Sequence, residues 1–214
     1  MIRIITIQVG FLSTNCYIVY DDSVPEKPGV VIDPGSEDSR IVRAVRDEGI
    51  TVKCVFITHG HYDHVGAVAG VVTEFECPVV MSRDDQELYS GQSDFIETLG
   101  GDVHESFEYF KDGGVYPVTG ELKFKVISTP GHSEGGVCLA LDPIKSLFTG
   151  DTLFEGTVGR TDLPGSDPEA MRMSLERIVT GYPDYKVYPG HGGPSTMEKE
   201  RKTNAFIRRI FRSD

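Results

Sequence analysis

A chain of 214 residues, 39% hydrophobic and 25% charged, has the composition of an ordinary globular protein, and at that length it buries roughly 70% of its unfolded surface without help from disulfides. Its net charge of −12 disfavours phosphate backbones, which sets nucleic acid aside as a partner. No run approaches the ~20 apolar residues of a membrane span, and the first residues lack the features of an export signal, so the expectation is a cytoplasmic protein with no membrane partner. Cys16, Cys54, Cys77 and Cys138 form no CxxC pair, and they are expected to be reduced core residues.

Ile2 to Val9 and Cys16 to Tyr20 are apolar runs that predict strands, and Gly29 to Ile32 is a third that ends in the turn Asp33-Pro34-Gly35. Asp38 to Glu48 carries a helical stripe of Ile41, Val42 and Val45 and stops at Gly49. A strand is expected over Val52 to Ile57, a helix over Val65, Val68, Ala69 and Val72, and a strand over Pro78 to Met81. Asp84 to Gly114 is polar and weakly patterned, and predicts helical pieces and loops. Strands resume at Val115 to Val118, Leu122 to Ile127, Val137 to Leu141 and Ser146 to Thr149. Asp167-Pro168-Glu169 is a helix start, with Met171, Leu175 and Ile178 as its buried face. Tyr185 to Tyr188 is the last expected strand. Ser195 to Glu198 reads as a capping box opening a final helix with Phe206, Ile207, Ile210 and Phe211 on its apolar side. The tail carries six basic residues between Lys199 and Arg212. With no linker or low-complexity stretch, residues 1–214 are expected to form one domain, as a monomer or small homo-oligomer.

Four times an apolar strand runs into a tight turn that ends in His or Asp: Phe56 to His61, Ile127 to His132, Phe148 to Asp151 and Val187 to His191. Five of the six histidines lie on these turns, whereas His104 stands alone in a polar segment and is expected to face solvent. His59 and His61 are alternate residues after a strand and point the same way, so both can reach one ion. Asp63 and His64 sit at the turn into a helix and can reach a neighbouring one. Imidazole and carboxylate suit zinc, manganese or iron. Seven such ligands exceed one tetrahedral shell and suit two divalent ions, zinc first.

His59-Gly-His61-Tyr-Asp63-His64, with Gly-His132, Gly-Asp151 and Gly-His191 following in order, resembles the signature of the metallo-β-lactamase superfamily. That resemblance implies an α/β fold, an αββα four-layer sandwich of two mixed sheets flanked by helices. It implies that His59, His61 and His132 hold one metal, that Asp63, His64 and His191 hold a second, and that Asp151 bridges them. Aspartate at position 151 is typical of glyoxalase II, lactonases and persulfide dioxygenases, and points away from β-lactam hydrolysis. Thr14 to Tyr17, Val31 to Gly35, Gly150 to Phe154, Gly159 to Asp162 and Pro189 to Gly192 are similar to the short bacterial glyoxalase II-like hydrolases. Classical glyoxalase II carries a helical C-terminal domain, for which the 23 residues after His191 leave no room.

The expected activity is hydrolysis of a small-molecule thioester such as S-D-lactoylglutathione, by a hydroxide bridging the metals, with Asp63 and Asp151 as catalytic residues and Arg160 gripping a substrate carboxylate. The alternative is a persulfide dioxygenase with one iron held by His59, His132 and Asp151. A non-catalytic binding module is disfavoured, because structural zinc sites close with four ligands.

Overall fold

The computed structural model describes residues 1–211; Arg212, the last of the basic tail residues, lies outside them. Strands β1 (Ile2–Val9), β2 (Thr14–Asp21), β3 (Pro28–Ile32), β4 (Thr51–Phe56), β5 (Val79–Met81) and β6 (Glu108–Tyr109) form a first mixed sheet in chain order, antiparallel from β1 to β3 and parallel from β3 to β6. The parallel steps are crossed by helices: α1 (Asp38–Glu48) between β3 and β4, α2 (Tyr62–Val65) and α3 (Val68–Phe75) before β5, and α4 (Gln86–Ser90) and α5 (Ser93–Thr98) before β6. The second sheet contains β7 (Val115–Thr119), β8 (Leu122–Ser128), β9 (Val137–Leu141) and β10 (Ser146–Gly150). A ribbon of β11 (Leu153–Phe154) and β12 (Thr157–Val158) follows, then α6 (Pro168–Gly181), β13 (Lys186–Pro189), β14 (Ser195–Thr196), α7 (Met197–Thr203) and α8 (Ala205–Ile210). The order across the second sheet is β14-β13-β10-β9-β8-β7.

Strand alternation sorts the apolar residues into three layers. Along β2, Tyr17 and Val19 face the opposite sheet, while Cys16, Ile18 and Tyr20 face α1 and α3 with Ile41, Val45, Val68 and Val71. Along β9, Val137, Leu139 and Leu141 enter the space between the sheets, where they join Phe56, Phe124 and Phe148. Cys138 and Ala140 point outward onto Met171, Leu175 and Ile178 of α6 and Ile207 of α8. Both sheets are therefore covered on both faces, and the architecture is the αββα sandwich. All four cysteines are buried and free. Among the described residues no helix is long and apolar enough to cross a membrane.

Local signals placed most element ends. Gly49 closes α1 in the left-handed conformation at φ 68°, and the Asp167 side chain accepts from the Glu169 and Ala170 amides ahead of α6. The C-terminus departs from its reading. Ser195 lies in β14 and its hydroxyl donates to Glu200; the cap of α7 is Thr196, which accepts from the Lys199 amide. The expected single helix breaks at Asn204, whose extended backbone and side chain open α8 instead. Phe206 and Phe211 remain exposed, so Ile207 carries the packing of that helix. The expected helix around Val65 is likewise two pieces, α2 and α3, interrupted at Gly66-Ala67.

Candidate metal centre

Strand direction gathers the sequence motifs. β8 is antiparallel to β9, β9 is antiparallel to β10, and β10 is parallel to β13. β8, β10 and β13 therefore end at one edge, delivering His132, Asp151 and His191 together. β3 and β4 are parallel and deliver Asp33 and the His59–His64 loop from the other sheet. The two edges are joined directly. Thr14 bridges to His191, the Asn15 amide donates to the Gly190 carbonyl at 2.7 Å, and Tyr17 Oη donates to the Pro189 carbonyl at 2.6 Å. Asn15 Nδ2 donates to the carbonyls of Pro189 and Gly192.

The structure brings together all seven of the predicted His and Asp side chains. They form three groups with ligand atoms within 4.8 Å of one another: His59, His61 and His132; Asp63, His64 and His191; and His59, His64 and Asp151. Asp151 lies between the first two groups. Its Oδ2 is 3.5 Å from His132 Nε2 and 3.5 Å from His191 Nε2, and its Oδ1 is 3.3 Å from His64 Nε2. Asp63 Oδ2 lies 3.2 Å from His191 Nε2 and accepts a hydrogen bond from Thr14 Oγ1 at 2.8 Å. Gly190 makes this approach possible, because a Cβ there would sit 2.2 Å from Asp151 Oδ1 and 2.7 Å from His64 Cε1.

The outer nitrogens of four of the five rings are occupied. Nδ1 of His64 faces Asp33 Oδ2 at 2.9 Å, Nδ1 of His132 faces the Arg160 carbonyl at 2.9 Å, and Nδ1 of His191 faces the Leu12 carbonyl at 3.2 Å. His59 Nδ1 lies 3.2 Å from Thr58 Oγ1, whose own proton goes to Asp33 Oδ2. In the neutral form each of these rings thus carries its proton on Nδ1 and turns the Nε2 lone pair inward. Among the described residues, three buried side-chain atoms lack a hydrogen-bond partner: His59 Nε2, His64 Nε2 and Asp151 Oδ1. Three orphaned ligand atoms converging on one place is the arrangement that a cation satisfies.

Charge follows the same pattern. Burial pushes the His59 imidazole well below its ordinary range, and His64 beside it adds to the fall. Burial and His132 bring His61 down to about 4. Burial opposes protonation of His64 too, but Asp151, Asp33 and Asp63 outweigh it and raise that ring. Burial also works against the charge on Asp151 and Asp63, yet His64 and the surrounding donors hold Asp151 well below the usual carboxylate range and Asp63 at about 2. Anionic carboxylates facing neutral His59 and His61 are in the protonation states that metal ligation requires, whereas His64 and His191, the latter raised to about 9 against its burial by Asp151 and Asp63, would each release a proton on ligation.

Arg160 sits differently from the cluster. Its side chain is 62% exposed and makes a bidentate pair with Asp162 at 2.7 and 2.9 Å, while its backbone carbonyl is what meets His132. His104 is half-buried against Phe107, remote from the other histidines, and its Nε2 meets the Ser106 carbonyl. Two acids that the motifs do not single out belong to the site. Asp33 is legible in the sequence as a turn residue and as part of the Val31 to Gly35 stretch shared with the family, without a role of its own, and it holds Thr58 through both amide and hydroxyl as well as His64. Asp85 had no sequence signal beyond its polar surroundings. A cavity of about 290 Å³ opens beside Asp63, between the β1–β2 turn and α5, lined by Phe11, Leu12, Tyr62, Ile96 and Leu99.

A family model for the metallo-beta-lactamase superfamily matches residues 9–191. Hydroxyacylglutathione hydrolase GloC of Haemophilus influenzae is 30% identical over 206 residues, covering 94% of this chain and 96% of that protein. Among solved structures, TTHA1623 in a di-iron-bound form superposes with a TM-score of 0.84 at 34% identity, over 94% of this chain and 99% of that one. The B3 metallo-beta-lactamase BLEG-1 superposes with a TM-score of 0.85 at 29% identity, over 97% of this chain and 99% of that one.

Proposed function

The chain belongs to the metallo-beta-lactamase superfamily, and from that premise we propose that it is a metal-dependent hydrolase of a small thioester such as S-D-lactoylglutathione. The observation that carries the reading is the pair of triads joined by Asp151, with their buried ligand atoms unpartnered. His59, His61 and His132 would hold one divalent ion and Asp63, His64 and His191 a second, with Asp151 reaching both. Zinc, iron and manganese all suit these donors, and the di-iron form of TTHA1623 supports iron as a candidate. When bound, such ions lower the pKa of water and polarise a carbonyl.

The chain's own residues fix where this chemistry happens. Asp33, Thr58 and the carbonyls of Leu12 and Arg160 orient four of the five imidazoles, His59, His64, His132 and His191, so little reorganisation is needed when a substrate arrives. Thr14 holds Asp63 in the orientation that faces His191. Hydrolysis adds water across the carbon–sulfur bond to give a carboxylate and a thiol. A thiolate leaves readily, so the reading asks for no separate protein acid. The charge of −12 supports a small-molecule substrate over nucleic acid. Four buried free thiols suit a reducing, cytoplasmic setting.

The test is thioester loss from S-D-lactoylglutathione by metal-free protein reloaded with zinc, manganese or iron, beside a chromogenic cephalosporin and a persulfide. Metal-dependent thioester cleavage is expected. Cephalosporin opening without thioester cleavage would overturn the reading in favour of β-lactam hydrolysis. A single iron per chain with oxygen uptake on the persulfide would replace it with dioxygenation through His59, His132 and Asp151.

A further inference from the structure

Asp85 is fully buried on a short turn after β5, and among the described residues no salt bridge reaches it. Its carboxylate accepts three hydrogen bonds, all from the two loops that carry the first triad. The Gly60 amide, between His59 and His61, donates to Oδ2 at 2.8 Å. Ser133 Oγ, next to His132, donates to the same oxygen at 2.7 Å, and the Gly135 amide donates to Oδ1 at 2.6 Å. The loops come close because both glycines lack a side chain. A Cβ on Gly60 would lie 2.7 Å from the Asp85 carbonyl oxygen, and one on Gly135 would lie 2.5 Å from the Asp85 nitrogen. Gln92, farther along the same segment, completes the hold: its Nε2 donates to the Gly60 carbonyl at 2.8 Å and its Oε1 accepts from the Tyr62 amide at 3.0 Å.

We infer that Asp85 is a positioning residue that sets the spacing of His59 and His61 against His132, and so tunes the first metal position selectively. Three converging donors call for an all-acceptor group, which a carboxylate is and an amide is not. Asp33 does the corresponding work for His64 on the other side, and the three hydrogen bonds of Asp85 fall beside His59, His61 and His132 and on none of Asp63, His64, His191 or Asp151. Asp85 is therefore bonded next to the ligands of the first triad, and the first position is the one it is expected to tune. This role rests on the reading of the cluster as a metal centre.

The experiment is Co²⁺ titration of metal-free protein, followed by visible absorption and calorimetry, with circular dichroism to verify folding. Asp63→Ala leaves the first triad intact and His132→Ala leaves the second, so each position is read alone. Adding Asp85→Asn is expected to weaken Co²⁺ binding about 10–100-fold in the Asp63→Ala background, the usual cost of losing a partner behind a metal ligand. In the His132→Ala background it is expected to change binding less than about twofold. Ser133→Ala, which removes one donor and leaves Asp85 in place, should weaken the first position in the same selective way by a smaller factor, and it decides the matter if Asp85→Asn does not fold. Equal weakening of both positions, or of neither, would overturn the role of Asp85 alone. Wild-type protein that binds no Co²⁺ would overturn the metal-centre reading and this role with it.

Discussion

Gly190→Ala adds one methyl group at the point where the sheets meet, and it should disable the site while leaving the fold standing. The backbone of Gly190 lies outside the left-handed region, so alanine adopts it without strain and the effect is the methyl alone. The new Cβ would stand 2.2 Å from Asp151 Oδ1, 2.7 Å from His64 Cε1 and 3.2 Å from the Gly150 carbonyl carbon. An unstrained contact needs about 3.5 Å. Asp151 or His64 must therefore move by roughly 1 Å, and His64 is fully buried while the Asp151 side chain is only 11% exposed. Overpacking of this kind costs about 1–3 kcal/mol of stability, which a domain stabilised by 5–15 kcal/mol survives. A displacement of about 1 Å at reacting groups costs on the order of 100-fold in rate. The assay pairs kcat/KM for the thioester with metal content and urea denaturation. Expected are a fall of about 100-fold, loss of the metal position that depends on Asp151 and His64, and a cooperative unfolding transition. Full activity with two ions bound would refute the placement of Asp151 against Gly190.

Asp33→Ala removes the acceptor for Thr58 and His64 inside the protein, and should cost about 3–5 kcal/mol in urea denaturation, the range for breaking a buried charged partnership. Leu175→Ala, on the buried face of α6, should cost about 2–5 kcal/mol by the same measurement while leaving metal content unchanged. Arg160→Ala keeps the backbone carbonyl that holds His132, so kcat should persist; if the guanidinium grips a substrate carboxylate, KM for an anionic thioester should rise, and an unchanged KM would remove Arg160 from substrate binding. Chelation should lower Tm, with re-addition restoring it: one ion at 100 times its Kd stabilises by about 2.7 kcal/mol, and an unchanged Tm would count against ligation by the seven side chains.

The candidate ligand residues were legible because they combine rare residue types with turns of one repeated form. His59, His61, Asp63 and His64 announce themselves by spacing, and His132, Asp151 and His191 each follow a strand and a glycine. The residues that orient them were not legible. Asp33 occupies the left-handed region at φ 51° in a turn where any Asp-Pro-Gly reads simply as a bend. Asp85 lies 25 residues from Gly60 and 50 from Gly135, a pairing that only the finished chain path creates. Periodicity found the helices that pack on a sheet, such as α1 and α6. It overextended the C-terminal helix, because an apolar pattern does not report that Asn204 donates to Glu200 and Thr157 and then caps the next turn. Phe206 and Phe211 fit the pattern and still face solvent.

Each triad draws from both sheets. His59 and His61 meet His132 across the sandwich edge, and Asp63 and His64 meet His191 across the same edge, so neither half of the fold holds a complete set. Short-range polar contacts tie the halves together at that edge: Thr14 to His191, Asn15 and Tyr17 to the backbone before and after Gly190, the Val137 amide to the Thr58 carbonyl, and Asp85 from the first-sheet side to Ser133 and Gly135. Apolar packing between the sheets fixes their separation, since side chains such as Phe56 and Phe148 fill it. It is non-directional and does not fix their relative slide. The hydrogen bonds do, because each demands a distance and an angle. A site that needs imidazole nitrogens and carboxylate oxygens in register from two sheets thus depends less on the size of the core than on the few polar residues along its rim.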